Sequence, residues 1–151
     1  MQRRLFIQSL AATASTSALP LLAQSAKPHL EVWKDPSCGC CKDWIAQMQS
    51  SGFSVTTHDS GNTAARTRLG LPQKLGSCHT ALVGGYVVEG HVPASDVKRL
   101  LKERPKALGL AVPGMPVGSP GMDGPEYGGR KDRYEVLLVQ ADGSTRTFSR
   151  Y

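Results

Sequence analysis

Hydrophobic and polar residues alternate along the chain with two periods, one typical of strands and one typical of helices. Leu30–Trp33 predicts a short strand, which ends at the turn around Asp35-Pro36. A helix is expected next, because the apolar residues that follow recur three and four positions apart and stop near Gly52. Its apolar face comprises Cys41, Trp44, Ile45 and Met48.

The same pattern predicts a second strand and a shorter helix further along the chain. Alternation over Phe53–His58 indicates the strand. The segment Thr63–Leu69 indicates the helix, with Thr63 as a candidate N-cap and Gly70 as a candidate C-cap.

Two short apolar runs on either side of Gly84-Gly85 predict a β-hairpin. The runs are Thr80–Val83 and Tyr86–Glu89, and a two-residue glycine connection favours the tight turn that joins paired strands. Pro93 then opens a helix that continues to Arg104, because proline suits the first turn of a helix.

The resulting order of elements, β-α-β-α-β-β-α, predicts an α/β fold with a central mixed sheet, specifically a thioredoxin-like topology. Residues 105–133 hold seven of the sixteen glycines and five of the ten prolines, which predicts a loop too long to be a mere connection. Tyr134–Val139 and Ser144–Phe148 predict a terminal hairpin within residues 134–151. We therefore expect a single domain over residues 27–151.

The N-terminus has the composition of an export signal. Arg3-Arg4 precedes a mostly uncharged stretch, Leu5–Ala23, which is too polar to remain in a bilayer as an anchor. We assign residues 1–26 as a signal peptide and expect a periplasmic protein with no stable membrane anchor. The arginine pair resembles a twin-arginine signal, and the general secretory route is the alternative.

The positive charge of the chain does not indicate nucleic acid as a partner. The formal net charge is +6, and removal of the two leader arginines lowers it to +4. The other basic residues are dispersed over a predicted helix face and a loop, without interleaved aromatic residues. We interpret them as solvated surface and expect no nucleic-acid binding.

The four cysteines are the main candidates for chemistry, because a chain of 151 residues can fold without a disulfide or metal as a staple. Cys38, Cys40 and Cys41 lie at the predicted start of the first helix, where the helix dipole stabilises a thiolate. Three thiolates in one turn repel one another unless protons, a disulfide or a soft cation neutralise them. Thiolates select monovalent copper, zinc or iron–sulfur clusters, and copper is the soft metal we favour in an exported protein.

A fourth sulfur and an imidazole, those of Cys78 and His79, precede the predicted hairpin. In a thioredoxin-like fold the loop before this strand normally carries a cis-proline that packs against the redox motif. If the topology is correct, Cys78 faces the other three cysteines. His79 is then a metal ligand or a hydrogen-bond partner of one.

Two methionines lie in the glycine-rich loop, where Pro113-Gly114-Met115 recurs seven residues later as Pro120-Gly121-Met122. A thioether is a neutral, soft ligand suited to monovalent copper, so we expect Met115 and Met122 to fold over the cysteines as a lid. The alternative, in which both side chains anchor the loop by packing, stays open. The weaker candidate ligands are His91, His58 and His29.

Together these motifs resemble those of a bacterial family of periplasmic thioredoxin-like proteins of unknown function that includes the CopG-type copper-resistance proteins. The resemblance implies copper binding through the cysteines, of which a cysteine-bridged multinuclear cluster of monovalent copper is one form, and a role in copper tolerance. It implies copper ions and other periplasmic copper-handling proteins as partners. The matching motifs are Lys34–Cys41, Ser77–Thr80, Gly90–Ala94, Val112–Pro116 and Gly118–Met122.

Two functions of different classes remain open. The first is sequestration or redox conversion of copper, and the second is thiol–disulfide exchange in which Cys38 attacks and Cys41 resolves. Zinc is a less favoured occupant of the same site, and whether the protein is an oxidoreductase of copper or of thiols stays open. In the first function the ligands are Cys38, Cys40, Cys41, Cys78, His79, Met115 and Met122.

Overall fold

The structure is a computed structural model that describes residues 26–151, so the expected signal peptide lies outside the described residues except for Ala26. No helix in this range is long and apolar enough to cross a membrane. The strands are β1 (His29–Lys34), β2 (Ser54–His58), β3 (His79–Val83), β4 (Tyr86–Glu89), β5 (Gly109–Ala111), β6 (Glu135–Val139) and β7 (Thr145–Arg150). The α-helices are α1 (Gly39–Ser50), α2 (Thr63–Arg68) and α3 (Ala94–Glu103), and single 3-10 turns span Gln73–Leu75 and Pro125–Tyr127.

All seven strands form one mixed sheet in the order β2-β1-β3-β4-β5-β6-β7, which confirms the α/β class. β1 pairs with β2 in parallel across the α1 crossover and with β3 in antiparallel orientation. In that second pairing Lys34, the last residue of β1, lies opposite His79, the first residue of β3. The end of β1 and the start of β3 therefore lie next to each other, at the same end of these two neighbouring strands.

The core lies between the sheet and the helices, as the apolar pattern predicts. Leu30 and Val32 of β1 are buried together with Trp44 and Met48 of α1. The predicted helical face of α1 is confirmed, since Cys41, Trp44, Ile45 and Met48 are all buried. Burial of this face fixes the rotation of α1 about its axis, and with it the direction in which the first turn of the helix points.

The prediction of a continuous loop over residues 105–133 is wrong at one point. Residues Gly109–Ala111 form β5, which pairs in parallel with β4 and in antiparallel with β6 and so joins the terminal hairpin to the sheet. Three residues between prolines and glycines are too few for a period of two to be visible in the sequence. Gly109 is required there, because a Cβ atom at this position would collide with the backbone of Val87.

The cap prediction for α2 is also wrong in detail. Thr63 is the first helical residue and Asn62 occupies the N-cap position, without a side-chain bond to the helix. The Asn62 amide instead donates to the carbonyl oxygen of Ser77, at 3.1 Å. Gly70 lies one residue beyond the C-cap with a φ of 77°, where glycine ends helices without strain.

We expect Gly109→Ala to lower the free energy of unfolding by about 3 kcal/mol, because the added methyl group must push two paired strands apart. Urea denaturation of the metal-free protein measures the loss. Gly39→Ala is the control, since a Cβ atom at Gly39 has no neighbour within 4 Å. Equal stability of the two variants would show that β5 does not pack as closely as described.

Candidate metal centre

The first three cysteines are placed by a turn that ends β1 and starts α1. The Asp35 carboxylate accepts a hydrogen bond from the backbone N–H of Ser37 at 2.8 Å, and the N–H of Cys38 donates to the Asp35 carbonyl oxygen at 3.1 Å. Cys38 then occupies the N-cap position of α1 without capping the helix through its side chain. The N–H groups of the first helical turn and the helix dipole therefore favour negative charge on the adjacent sulfur atoms.

The four cysteine sulfurs lie together, all within 4.8 Å of one another. Cys38 and Cys41 form a disulfide, with their Cα atoms 5.4 Å apart. The Cys40 sulfur lies 3.6 Å from that of Cys38 and 3.8 Å from that of Cys78. Cys78 thus reaches the other three cysteines, as the predicted topology requires, because β1 and β3 are antiparallel neighbours.

Cys40 and Cys78 carry the two free thiols of the site, and both are half-buried. Burial, reinforced by the neighbouring Cys40, raises the pKa of Cys78 to about 12. The Cys78 thiol is therefore protonated at neutral pH in the absence of a metal ion. A cation that binds here has to displace this proton, which makes metal binding release protons.

His79, predicted as a ligand or as the partner of one, lies directly against the cysteines. Its Nδ1 atom is 3.4 Å from the Cys78 sulfur, and its ring packs on the Trp44 ring with centroids 4.3 Å apart. The side chain is fully buried, and its Nε2 atom has no hydrogen-bond partner within residues 26–151. Burial lowers the pKa of His79 to about 3, so the imidazole is neutral and able to ligate a metal.

His91, ranked among the weaker candidates by sequence, is the nearest nitrogen ligand to Cys78. Its Nε2 atom lies 3.0 Å from the Cys78 sulfur, and its Nδ1 atom donates to the Pro120 carbonyl oxygen at 2.8 Å. A signal for this contact is present in the sequence. A hairpin centred on Gly84-Gly85 pairs Thr80 with Glu89, and extension of this register by two residues places position 91 opposite position 78.

The two loop methionines differ in their surroundings. Met122 is only 8% exposed, and its sulfur accepts a hydrogen bond from the Tyr127 hydroxyl at 3.3 Å. The preceding Gly121 packs so tightly on the first turn of α1 that a Cβ atom would collide with the Cys40 carbonyl oxygen. Met115 is 53% exposed. The loop therefore packs on the first turn of α1 next to Met122, whereas the Met115 side chain faces solvent.

A buried polar network holds the segment that carries Cys78, and no pattern in the sequence indicates it. The Glu89 carboxylate accepts hydrogen bonds from Nε of Arg66 at 2.9 Å, from the N–H of Ser77 at 2.6 Å and from the Thr80 hydroxyl at 2.6 Å. Arg66 also donates to the Ser77 carbonyl oxygen at 2.7 Å. Residues on both sides of Cys78 are therefore fixed by one buried ion pair.

The buried histidines make the metal-free protein sensitive to acid. Below about pH 6.5 the unfolded chain gains a proton at His79 that the folded protein, whose pKa is lowered to about 3, does not bind. The free energy of unfolding should therefore decrease as the pH is lowered through this window. The decrease is up to about 1.4 kcal/mol per pH unit, or roughly 2 kcal/mol between pH 6.5 and 5. Burial also lowers the pKa of His91, which adds to the effect.

Urea denaturation between pH 7 and 5 measures this slope. His79→Gln should flatten it, whereas His29→Gln should not, because His29 lies on the exposed start of β1. An unchanged slope in His79→Gln would contradict the conclusion that buried, neutral His79 causes the pH dependence.

Comparison with known proteins gives two findings. Residues 75–122, which include Cys78 and both loop methionines, match a family described as "Protein of unknown function, DUF411". Two solved structures of a copper resistance protein copG, form 1 and form 2, each share 45% sequence identity with the chain. Each superimposes with a TM-score of 0.76 over 83% of this chain and 98% of the other. A search of curated proteins finds no match.

Proposed function

The chain belongs to the family of copper resistance protein CopG, and on this basis we propose that it binds monovalent copper and acts in copper resistance. The observation that carries the proposal is the convergence of four cysteine sulfurs within 4.8 Å. Thiolates are the protein ligands that monovalent copper prefers. The proposed ligands are Cys38, Cys40, Cys41 and Cys78, with His79, Met115 and Met122 completing the site. Met115 is 53% exposed and has to turn inward from solvent to reach a bound ion.

The spacing of the sulfurs fits ligation of a shared ion. Two thiolates bound to one tetrahedral metal ion through bonds of about 2.3 Å lie roughly 3.8 Å apart. The Cys40 sulfur is 3.6 Å from that of Cys38 and 3.8 Å from that of Cys78. These distances support a proposal in which Cys40 shares one ion with Cys38, once the Cys38–Cys41 disulfide is reduced, and another ion with Cys78.

The charge of the site favours more than one copper ion. Four thiolates carry four negative charges in a half-buried pocket, and a single monovalent ion neutralises only one of them. A cysteine-bridged cluster of several monovalent ions balances this charge, and the N-terminus of α1 stabilises the remainder. The proposed role has two forms. The protein either stores copper in such a cluster or converts copper between its redox states.

Thiol–disulfide exchange is the second candidate, and the Cys38–Cys41 disulfide favours it. The pair lies at the start of the helix that follows the first strand, where a thioredoxin-like protein carries its redox cysteines, and the order β2-β1-β3-β4 supports the thioredoxin-like topology. Cys38 would attack a substrate disulfide and Cys41 would resolve the mixed disulfide. The two functions exclude each other at any moment, because the disulfide removes two copper ligands.

Copper handling by an exported protein also fits the N-terminal sequence. We propose that residues 1–26 direct the chain to the periplasm and that residues 27–151 act there as one metal-binding domain. Other copper-handling proteins of that compartment are the proposed partners.

Anaerobic titration of the reduced protein with monovalent copper tests the first function. We expect binding of more than one copper ion per chain with sub-micromolar affinity, seen by mass spectrometry and by sulfur-to-copper charge-transfer absorption. Failure to bind at that affinity contradicts the proposal. Competition with zinc shows which of the two metal ions the protein binds with higher affinity.

Reduction of a model disulfide tests the second function. Cys41→Ser should lose activity, because it lacks the resolving thiol, whereas Cys40→Ser should keep it. Equal activity of the two variants counts against a Cys38–Cys41 redox pair.

A further inference from the structure

We propose that Lys34 is a positioning residue for the α1 turn (residues 35–41), and that its ammonium group favours the reduced form of the Cys38–Cys41 disulfide. Lys34 is the last residue of β1 and directly precedes this turn. Lys34 and Arg66 are the buried residues among the lysines and arginines of the described chain. Arg66 has a buried counterion, whereas the counterion of Lys34 is exposed. Lys34 is therefore a buried positive charge next to the cysteines.

The Lys34 ammonium group holds the backbone that places Cys38. Its Nζ atom donates to the Asp35 carbonyl oxygen at 3.2 Å, and the same oxygen accepts a hydrogen bond from the N–H of Cys38 at 3.1 Å. The Lys34 backbone is itself fixed, because its carbonyl oxygen accepts a hydrogen bond from the N–H of Gly61 at 3.0 Å. One carbonyl group thus joins the buried cation to the backbone of the first cysteine.

The charge of Lys34 is only partly cancelled by its counterion. The Nζ atom pairs with Oδ1 of Asp59 at 2.5 Å, but the Asp59 side chain is 55% exposed and that of Lys34 only 5% exposed. Water screens the exposed carboxylate far more than it screens the buried ammonium group. A net positive potential therefore remains on the side of the ion pair that faces the α1 turn.

A positive potential at the α1 turn favours the reduced sulfurs over the disulfide. Reduction by a thiol such as glutathione breaks the Cys38–Cys41 bond, transfers two electrons to its sulfurs and joins two glutathione sulfurs in a new disulfide. The two protons of the glutathione thiols pass to the released cysteines or to solvent. A released sulfur that stays deprotonated carries a negative charge that the disulfide lacks, and the N-terminus of α1 and Lys34 both stabilise that charge.

The effect of Lys34 on this equilibrium has a consequence for each proposed function. A disulfide that is easier to reduce oxidises the dithiols of other proteins more readily and reduces their disulfides less readily. It also leaves Cys38 and Cys41 available as copper ligands in a larger fraction of the molecules. These consequences rest on the proposed function, whereas the equilibrium itself requires neither a substrate protein nor copper.

Equilibration of the full-length, metal-free protein with glutathione redox buffers at neutral pH tests the role of Lys34. After an acid quench and alkylation, the intact mass counts the free thiols, of which the disulfide form has two and the reduced form four. Lys34→Met removes the charge and keeps an unbranched side chain. We expect it to shift the equilibrium at least about fivefold towards the disulfide, whereas Lys34→Arg, which keeps the charge, should stay within about twofold of the wild type.

Asp59→Asn separates the effect of charge from that of tethering, because it breaks the same ion pair from the other side. Loss of the carboxylate leaves the ammonium group unopposed, so this variant should shift the equilibrium towards the reduced form, opposite to Lys34→Met. Lys42→Met is the matched control. It removes an exposed positive charge from α1, which water screens, and should shift the equilibrium less than about twofold.

Two results overturn the proposal. One is an unchanged equilibrium in Lys34→Met, and the other is a shift of Lys34→Met and Asp59→Asn in the same direction, which loss of a tether alone would cause. Urea denaturation verifies that the variants fold. If Lys34→Met does not fold, the direction of the shift in Asp59→Asn decides, because the exposed Asp59 side chain tolerates replacement.

The role of Lys34 and the proposed function fail separately. A shift in Lys34→Met together with no reduction of a model disulfide by the wild type contradicts thiol–disulfide exchange and supports the role of Lys34. Reduction of the model disulfide without a shift in Lys34→Met contradicts the role of Lys34 alone.

Discussion

Replacing Cys78 by serine is expected to weaken the binding of monovalent copper by at least about 100-fold while the protein remains folded. Loss of a bound ligand should cost more than the 10- to 100-fold that follows removal of a group that only orients a ligand. A serine hydroxyl is a hard donor and does not replace a thiolate for this ion. Cys78 is also the cysteine that the segment before β3 contributes to the site, and its sulfur lies 3.8 Å from that of Cys40.

Anaerobic competition against a chelator of monovalent copper measures the affinity, and mass spectrometry counts the ions bound. Ser50→Ala is the control, because Ser50 is an exposed residue at the end of α1 whose hydroxyl, within residues 26–151, bonds only to the Ala46 carbonyl oxygen. The control should bind copper with wild-type affinity. If Cys78→Ser retains the wild-type stoichiometry and affinity, the three cysteines of the α1 turn bind copper by themselves. The proposal that Cys78 is a copper ligand is then wrong.

Local features of the fold could be predicted from the sequence because they depend on neighbouring residues. The apolar face of α1 is set by a period of 3.6 residues, and the β3–β4 hairpin is set by Gly84-Gly85, whose φ angles of 55° and 86° suit such a turn. The place of Cys38 at the start of α1 follows from the Asp35-Pro36 turn. Each of these predictions needs fewer than about fifteen residues of context.

Other features could not be predicted from the sequence alone, because they depend on pairing between strands that are far apart along the chain. Convergence of Cys78 with Cys38 depends on the antiparallel pairing of β1 with β3, which the sequence supports only through the expected topology. β5 is stabilised by strands on both sides and has no pattern of its own. His91 is a different case, because the hairpin register that the sequence predicts already places it opposite Cys78.

The Arg66–Glu89 pair is the clearest example of a feature that sequence patterns do not reveal. Arg66 belongs to the short helix α2 and Glu89 to the end of β4, and neither position stands out among the charged residues of the chain. Once both are buried, the carboxylate becomes an acceptor for the backbone N–H of Ser77. The pair therefore contributes to the metal site through the backbone on which Cys78 lies, without touching a sulfur.

Replacing Arg66 by methionine is expected to lower the free energy of unfolding by about 3 to 5 kcal/mol, because it leaves the fully buried Glu89 carboxylate without its cation. Urea denaturation of the reduced, metal-free protein measures the loss. Arg150→Met is the matched control, since Arg150 pairs with Glu135 at 2.8 Å but both side chains are exposed, and its cost should stay below about 1 kcal/mol.

A double variant, Arg66→Met/Glu89→Gln, separates loss of charge balance from loss of packing. We expect it to be more stable than Arg66→Met alone, because a neutral amide costs less to bury than an unpaired carboxylate and its oxygen still accepts from the Ser77 N–H. Copper affinity should fall in Arg66→Met and partly return in the double variant, because the Ser77 backbone positions Cys78. If Arg66→Met destabilises the protein no more than Arg150→Met, the buried pair does not hold the Cys78 segment, and the sheet alone positions the fourth sulfur.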